Sequence, residues 1–234
     1  AQRGAVVGLQ IAIVGLAGLL GMAGAIFAGV YLGAWVGIGR EARQQGSFIW
    51  WVINRLLFLA AVASIQGFAQ YFLSDVLHVP NAATMTTLLM AAVAVFLIPS
   101  ALVGGYLADR MGPKRLVALS GLIAAVGTLL LLLSTNIPMV IVSGCIIGIG
   151  AGVFMATNWA LGTDLAPPEE AGRYLGISNL AGAGAGIVGS GIGGPMADFF
   201  NGLRPGLGYL VIFALYAALF LLSVAALTRV KGRT

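Results

Sequence analysis

Chemistry in this sequence is confined to a few polar side chains set among long apolar runs. The richest stretch is 105–115, Gly-Tyr-Leu-Ala-Asp-Arg-Met-Gly-Pro-Lys-Arg, which places Asp109 among three bases, Arg110, Lys114 and Arg115, with Gly105 and Gly112 seven apart. A carboxylate surrounded by cations can accept hydrogen bonds and form ion pairs, and its plain reading is a solvated helix end at a membrane face. A second polar stretch, 163–173, carries Asp164, Glu169, Glu170 and Arg173 around Pro167 and Pro168. A charge relay from Arg110, Lys114 or Arg115 to Asp164 or Glu169 is its functional reading. Helix capping is the simpler one, since a proline opens a helix and acids suit its positive end.

Arg55, in Trp50-Trp51-Val52-Ile53-Asn54-Arg55, is the one charged residue well inside an apolar run. A cation there faces a cavity or a partner, or its long stem carries the charge back to the interface. The adjacent tryptophans fit an interfacial belt. Uncharged candidates for a solute cavity are Gln66 and Gln70, four apart on one helix face, with Tyr71 beside them, then Asn158 with Trp159, and Asn179 after Ser178. Amide and aromatic groups bind hydroxyls and stack on sugar rings. The plain alternative for each is an interhelical hydrogen bond, worth about 0.6 kcal/mol in a membrane. No phosphate-binding glycine loop, metal-ligand cluster or nucleophile–base arrangement is present, so neither an enzyme, a metal site nor a bound cofactor is expected.

The elements that must hold these residues follow from composition. Hydrophobic residues make up 60% of the chain and charged residues only 8%, with a mean hydropathy of +1.03. Soluble domains carry about 25% charged residues, so the solvent of this chain is the lipid bilayer. Spanning about 30 Å of hydrocarbon takes roughly 20 apolar residues per helix. Six runs qualify, at 48–73, 81–107, 116–134, 138–161, 174–197 and 207–228, giving an all-α, polytopic membrane helix bundle. Gly144, Gly148 and Gly152, Gly29, Gly33 and Gly37, and Gly182 with Gly186 recur every four residues and predict close helix contacts. Cys145 has no partner cysteine and reads as a packing residue. His78 and Asp198 read as solvated outer residues.

The net charge of +5 does not point to nucleic acid, because the bases sit in short connections rather than on one face. Arg40, Arg43, Arg110, Lys114, Arg115, Arg173, Arg229, Lys231 and Arg233 fall on one side of the spans, and Arg204 alone on the other. The positive-inside rule places the majority side, with the C-terminus, in the cytoplasm, which in a bacterium makes this an inner-membrane protein. Residues 5–39 carry no charge and would form a helix of about 52 Å, long for one upright span and short for two.

The spacing of Gly105, Leu107, Asp109, Arg110, Gly112, Lys114 and Arg115 between two membrane spans resembles the loop motif of the major facilitator superfamily of secondary transporters. Asn158-Trp159-Ala160-Leu161 followed by Asp164 resembles its sucrose-type and glycoside–cation symporter branches. The resemblance implies a twelve-helix fold in two repeated halves that move a small, possibly sugar-like solute by alternating access. It also implies that Asp109 accepts hydrogen bonds from a helix N-terminus in the opposite half, for which the start at Arg3–Gly8 is the candidate. A slide of 168 residues aligns Gly4, Gly8, Gly18 and Gly21 with Gly172, Gly176, Gly186 and Gly189. On this pattern residues 1–39 are a helix of an incomplete N-terminal half, and 40–234 are a six-helix C-terminal half. One helix would be missing near 35–45, and the partner would be the missing half or another membrane subunit. A native seven-span protein is the alternative. Since no acid lies at mid-membrane, proton coupling would need one in the missing half. The rival functions are export of an amphipathic compound, and a structural or assembly subunit of a larger membrane complex, a role also found among proteins similar to this family.

Overall fold

The structure is a computed structural model and describes residues 2–38, 46–166 and 168–231. Seven long helices follow in order: α1 (Gln2–Ile38), α2 (Gly46–Asp75), α3 (Ala82–Met111), α4 (Pro113–Leu132), α5 (Ile137–Leu165), α6 (Ala171–Leu203) and α7 (Leu207–Ala226). Single 3₁₀ turns at Pro168–Glu170 and Leu227–Arg229 precede α6 and follow α7. Among the described residues all seven helices are long and apolar enough to cross a membrane. Arg40, Arg43, Pro167 and Arg233 lie outside the described residues. So does the stretch that would have to hold a missing helix, apart from the end of α1 at Ile38.

The helices outrun the apolar stretches that announced them, and the clearest case is the connection at 105–115. α3 continues through Asp109 and Arg110 to Met111, and α4 starts at Pro113, so the expected polar loop shrinks to Gly112. Gly112 has φ of 83°, a left-handed conformation open to glycine, and its N–H closes α3 onto the Ala108 carbonyl. Pro113 then opens α4, where the missing N–H costs nothing. At the other connections Asn136 caps α5 by accepting from the Met139 N–H at 3.0 Å, and Gly206, with φ of 82°, turns the chain into α7.

α5 packs between α3 and α4, α7 between α4 and α2, and α6 packs on α2, with α1 against α6 and also touching α2 and α7. Phe58 of α2 stacks on Phe154 of α5, with centroids 3.6 Å apart and planes 3° apart, and meets Phe220 of α7 edge-on at 4.9 Å. In lipid no hydrophobic drive pulls helices together, so contact quality has to do so. The ladder at Gly144, Gly148 and Gly152 supplies it: a Cβ at these positions would sit 3.2 Å from Leu89, 2.8 Å from Val93 and 2.2 Å from the Leu97 carbonyl oxygen. Gly182 and Gly186 pack on Leu59 and Ala63 of α2. Gly29 and Gly33 have the same spacing, yet nothing lies within 4 Å of a Cβ there. That ladder is open among the described residues. Cys145 is buried, and His78 and Asp198 are exposed.

Gly152→Ala should therefore destabilise the bundle. Alanine gains about 1 kcal/mol of helix propensity, but a backbone carbonyl cannot rotate away, and overpacking costs roughly 1–3 kcal/mol. Gly191→Ala, with open space around the new methyl, should leave the melting temperature unchanged or raise it. Thermal unfolding of the two variants checks the pair, and an unchanged Gly152→Ala would refute the tight α3–α5 contact.

Candidate functional site

Two features meet on the face of the bundle that α2 and α5 share. The first is a polar cluster inside the apolar core. Arg55 Nη1 donates to Asn158 Oδ1 at 3.0 Å, and Asn158 Nδ2 donates to Asn54 Oδ1 at 3.0 Å. Asn54 Nδ2 donates to the Ser223 carbonyl of α7 at 2.9 Å, and the Trp51 indole N–H donates to the Asn158 carbonyl at 3.0 Å. Asn54, Asn158 and Trp51 are fully buried. Three helices are thus tied by amides that would otherwise be unsatisfied in hydrocarbon. The Arg55 guanidinium lies 6.0 Å from the Trp51 ring centroid and 5.4 Å from that of Trp159. Trp51 is consequently a core residue, packed so tightly on α5 that a Cβ at Gly162 would clash with its ring.

The second feature is a cavity of about 300 Å³ lined mainly by α2, α3, α5 and α6, with Leu131 of α4 and Phe213 of α7. Leu59, Val62, Ala63, Gln66 and Ala69 line it from α2, Leu89, Met90, Val93 and Leu97 from α3, and Gly182 and Gly186 from α6. Among the described residues Gln66 is its one polar side chain, and no other protein group hydrogen-bonds to it. Its donor and acceptor are available to an occupant.

The residues expected from sequence separate into groups. Arg55 and Asn158 are joined directly, and Gln66 faces the cavity. Gln66, Gln70 and Tyr71 are all exposed, and of the three only Gln66 belongs to the cavity lining; Asn179 is exposed. Its neighbour Ser178 is buried with no hydrogen-bond partner for its hydroxyl among the described residues. Asn54 and Ser223 were missed. The available signal was a second amide, Asn54, inside an apolar run, since a buried amide requires a partner.

Of the charged motif, Asp109, Arg110 and Arg115 are exposed, and Arg110 lies 4.5 Å over the Tyr106 ring. Lys114 donates to the Val230 carbonyl, and the Lys231 N–H donates to the Ser47 hydroxyl at 3.0 Å. These bonds fasten the chain after α7 to the starts of α4 and α2. Nothing within 4 Å would meet a Cβ at Gly105; Gly104 is the position against which α5 packs, 3.0 Å from Val153 Cα. Arg173 pairs with Glu170 at 3.2 Å, while Asp164 and Glu169 are exposed. Among the described residues no ion pair links Arg110, Lys114 or Arg115 to Asp164 or Glu169. The side chains of residues 2–5 and 7, which would belong to the partner of Asp109 at Arg3–Gly8, lie outside those described. At the other end of the bundle the Tyr209 hydroxyl donates to the Asp75 carboxylate, joining the end of α2 to the start of α7.

Seven apolar helices, a buried amide network and a cavity between helices define an integral, multi-pass α-helical membrane protein. Residues 52–233 match the sequence model of the Major Facilitator Superfamily, and the chain belongs to that family. It is 32% identical over 99 residues to the minor myo-inositol transporter IolF of Bacillus subtilis, covering 42% of this chain and 23% of that protein. It is 28% identical over 140 residues to the glucose transporter GlcP of Staphylococcus epidermidis, covering 60% and 31%. It is 31% identical over 121 residues to the multidrug resistance protein MdtH of Photorhabdus laumondii, covering 50% and 30%. The chain thus spans less than a third of the length of each of these relatives.

Proposed function

We propose that this chain forms part of a secondary-active transporter that moves a small, sugar-like solute by alternating access, with no chemical conversion of the solute. The observation that carries the reading is the cavity at Gln66, a free amide facing space between helices. Two relatives named as transporters of myo-inositol and glucose support the solute class. The remaining helices, whether a covalent N-terminal half or a separate membrane subunit, complete the path. Asp109 and its neighbours, Gly105, Arg110, Gly112, Lys114 and Arg115, form the cytoplasmic latch, with Asp164, Glu169 and Arg173 as their counterparts in another state of the cycle. Orientation follows the basic connections, with the C-terminus in the cytoplasm and the protein in the bacterial inner membrane. The Asn158–Asp164 segment favours the sucrose-type, cation-coupled branch.

Export of an amphipathic compound is the second reading, favoured by the otherwise apolar lining of the cavity and by the multidrug-resistance relative. Reconstitution decides between them. Proteoliposomes of the full-length protein should take up labelled myo-inositol or glucose saturably, above empty liposomes. Uptake of an amphipathic dye alone would establish the second reading, and uptake of none of the three would contradict both.

A further inference from the structure

Arg55 lies nine residues into α2, roughly 14 Å from its start at 1.5 Å per residue, and no acidic side chain among the described residues pairs with it. A guanidinium offers five N–H donors. Here Nη1 makes one hydrogen bond, to a neutral amide, and Nε is buried without a partner. Such a group is costly to keep in a membrane unless something completes it. The surroundings hold it in place rather than neutralise it. Asn158 cannot swing away, because its own amide is engaged by Asn54 and its carbonyl by Trp51. Trp51 and Trp159 attract the cation through their ring faces and use none of its donors. The result is a fixed, planar, cationic fork with free N–H groups, the geometry that recognises carboxylate and phosphate.

Its position connects it with the solute path. Arg55 precedes the cavity-lining Leu59 by one turn on the same face of α2, and Trp159 follows the cavity-lining Met155 by one turn on α5. Gln66 lies eleven residues further along α2, about 16 Å away, too far for one small ring to touch both. The cluster is therefore separate from the Gln66 site, one helical turn beyond the cavity-lining Leu59 and Met155.

We propose that Arg55, positioned by Asn158 and flanked by Trp51 and Trp159, binds an anionic group, a carboxylate or a phosphate, carried by the transported solute. This rests on the transport reading for its purpose, but the binding it asserts is measurable without transport. A lipid headgroup offers the same chemistry, so the test separates the two sources. The full-length protein in nanodiscs of neutral lipid is titrated with inorganic phosphate, glucuronate and glucose 6-phosphate, and with glucose at matched ionic strength. The readout is tryptophan fluorescence, since two indoles flank the site.

The expected result is a saturable change with the anions that depends on Arg55, whereas any change with glucose, which has no charge for the fork, is unaltered by Arg55→Gln. Arg55→Gln should weaken the response about tenfold or more, and Arg55→Lys, which keeps the charge and loses the fork, should weaken it less. Arg204→Gln, which removes an exposed cation on the α6–α7 connection, should respond as the parent does. A glucose response weakened by Arg55→Gln as much as that of the anions, no response to any of the three anions, or a folded Arg55→Gln responding to anions like the parent would overturn the proposal. A response that appears only when phosphatidylglycerol is added to the nanodisc assigns the site to lipid and overturns the solute assignment. If labelled glucose is taken up while no anion binds, the transport reading survives and this one fails.

Discussion

Replacing Asn158 with leucine should lower the melting temperature and disconnect Arg55. Two side-chain bonds disappear, the one from Arg55 and the one to Asn54, while the bond from Trp51 to the Asn158 carbonyl remains. The two losses are not equal. A neutral interhelical amide bond is worth about 0.6 kcal/mol in a membrane. Stranding a buried donor costs roughly 1–3 kcal/mol, and more when the group is charged, so the loss at Arg55 dominates. Asn158→Asp is the informative contrast. It keeps the size of the side chain and gives Arg55 a counter-charge, but it turns the Asn54 contact into two facing acceptors, so stability should fall less than with leucine while any anion response falls, because the cation is already paired. Thermal unfolding followed by tryptophan emission measures both variants. If Asn158→Leu unfolded at the parent temperature, the amide network would have no structural role.

The second large effect is expected at Gln66. Leucine there removes no hydrogen bond within the protein, so the fold should be unaffected. A polar solute loses a partner in an otherwise apolar cavity. An unsatisfied group of that kind costs roughly 1–3 kcal/mol, which converts to about 10- to 100-fold in affinity. Gln70→Leu, one turn away and outside the lining, should change affinity by no more than about twofold, since surface changes away from a site have small effects. Equilibrium binding of labelled solute, with unfolding temperature as the control, separates the two. Equal losses at both positions would place the solute on the exposed face of α2 rather than in the cavity.

The contrast between Gln66 and Gln70 also shows where sequence reasoning stopped. Their spacing puts both on one face of α2, but only packing against α3, α5 and α6 decides which of them meets a cavity. The glycine ladders carry the same lesson: Gly29 and Gly33 match the spacing of Gly144 and Gly148, yet one pair is open and the other holds Val93. Periodicity reports what a helix can do, and its neighbours determine what it does. The existence and number of helices were legible because burial in lipid demands long apolar runs. Their ends were not, because hydropathy marks the hydrocarbon and a helix continues past it; α3 carries Asp109 and Arg110 in its last turn and stops only at Gly112. The spacing of Trp50 and Trp51 does not tell which of them packs inward: Trp51 is fully buried, and Trp50 meets Phe27 of α1 edge-on at 5.6 Å. In a helix apolar on every side, composition does not tell which face turns inward.

Alternating access requires the cavity at Gln66 to be reached from both sides of the membrane in turn. Gln66→Cys in the full-length protein, in a background freed of other cysteines including Cys145, exposes this to a membrane-impermeant maleimide applied from either face. Labelling is expected from each face, with bound solute slowing both reactions. Labelling from one face only, unchanged by solute, would contradict alternating access through this cavity.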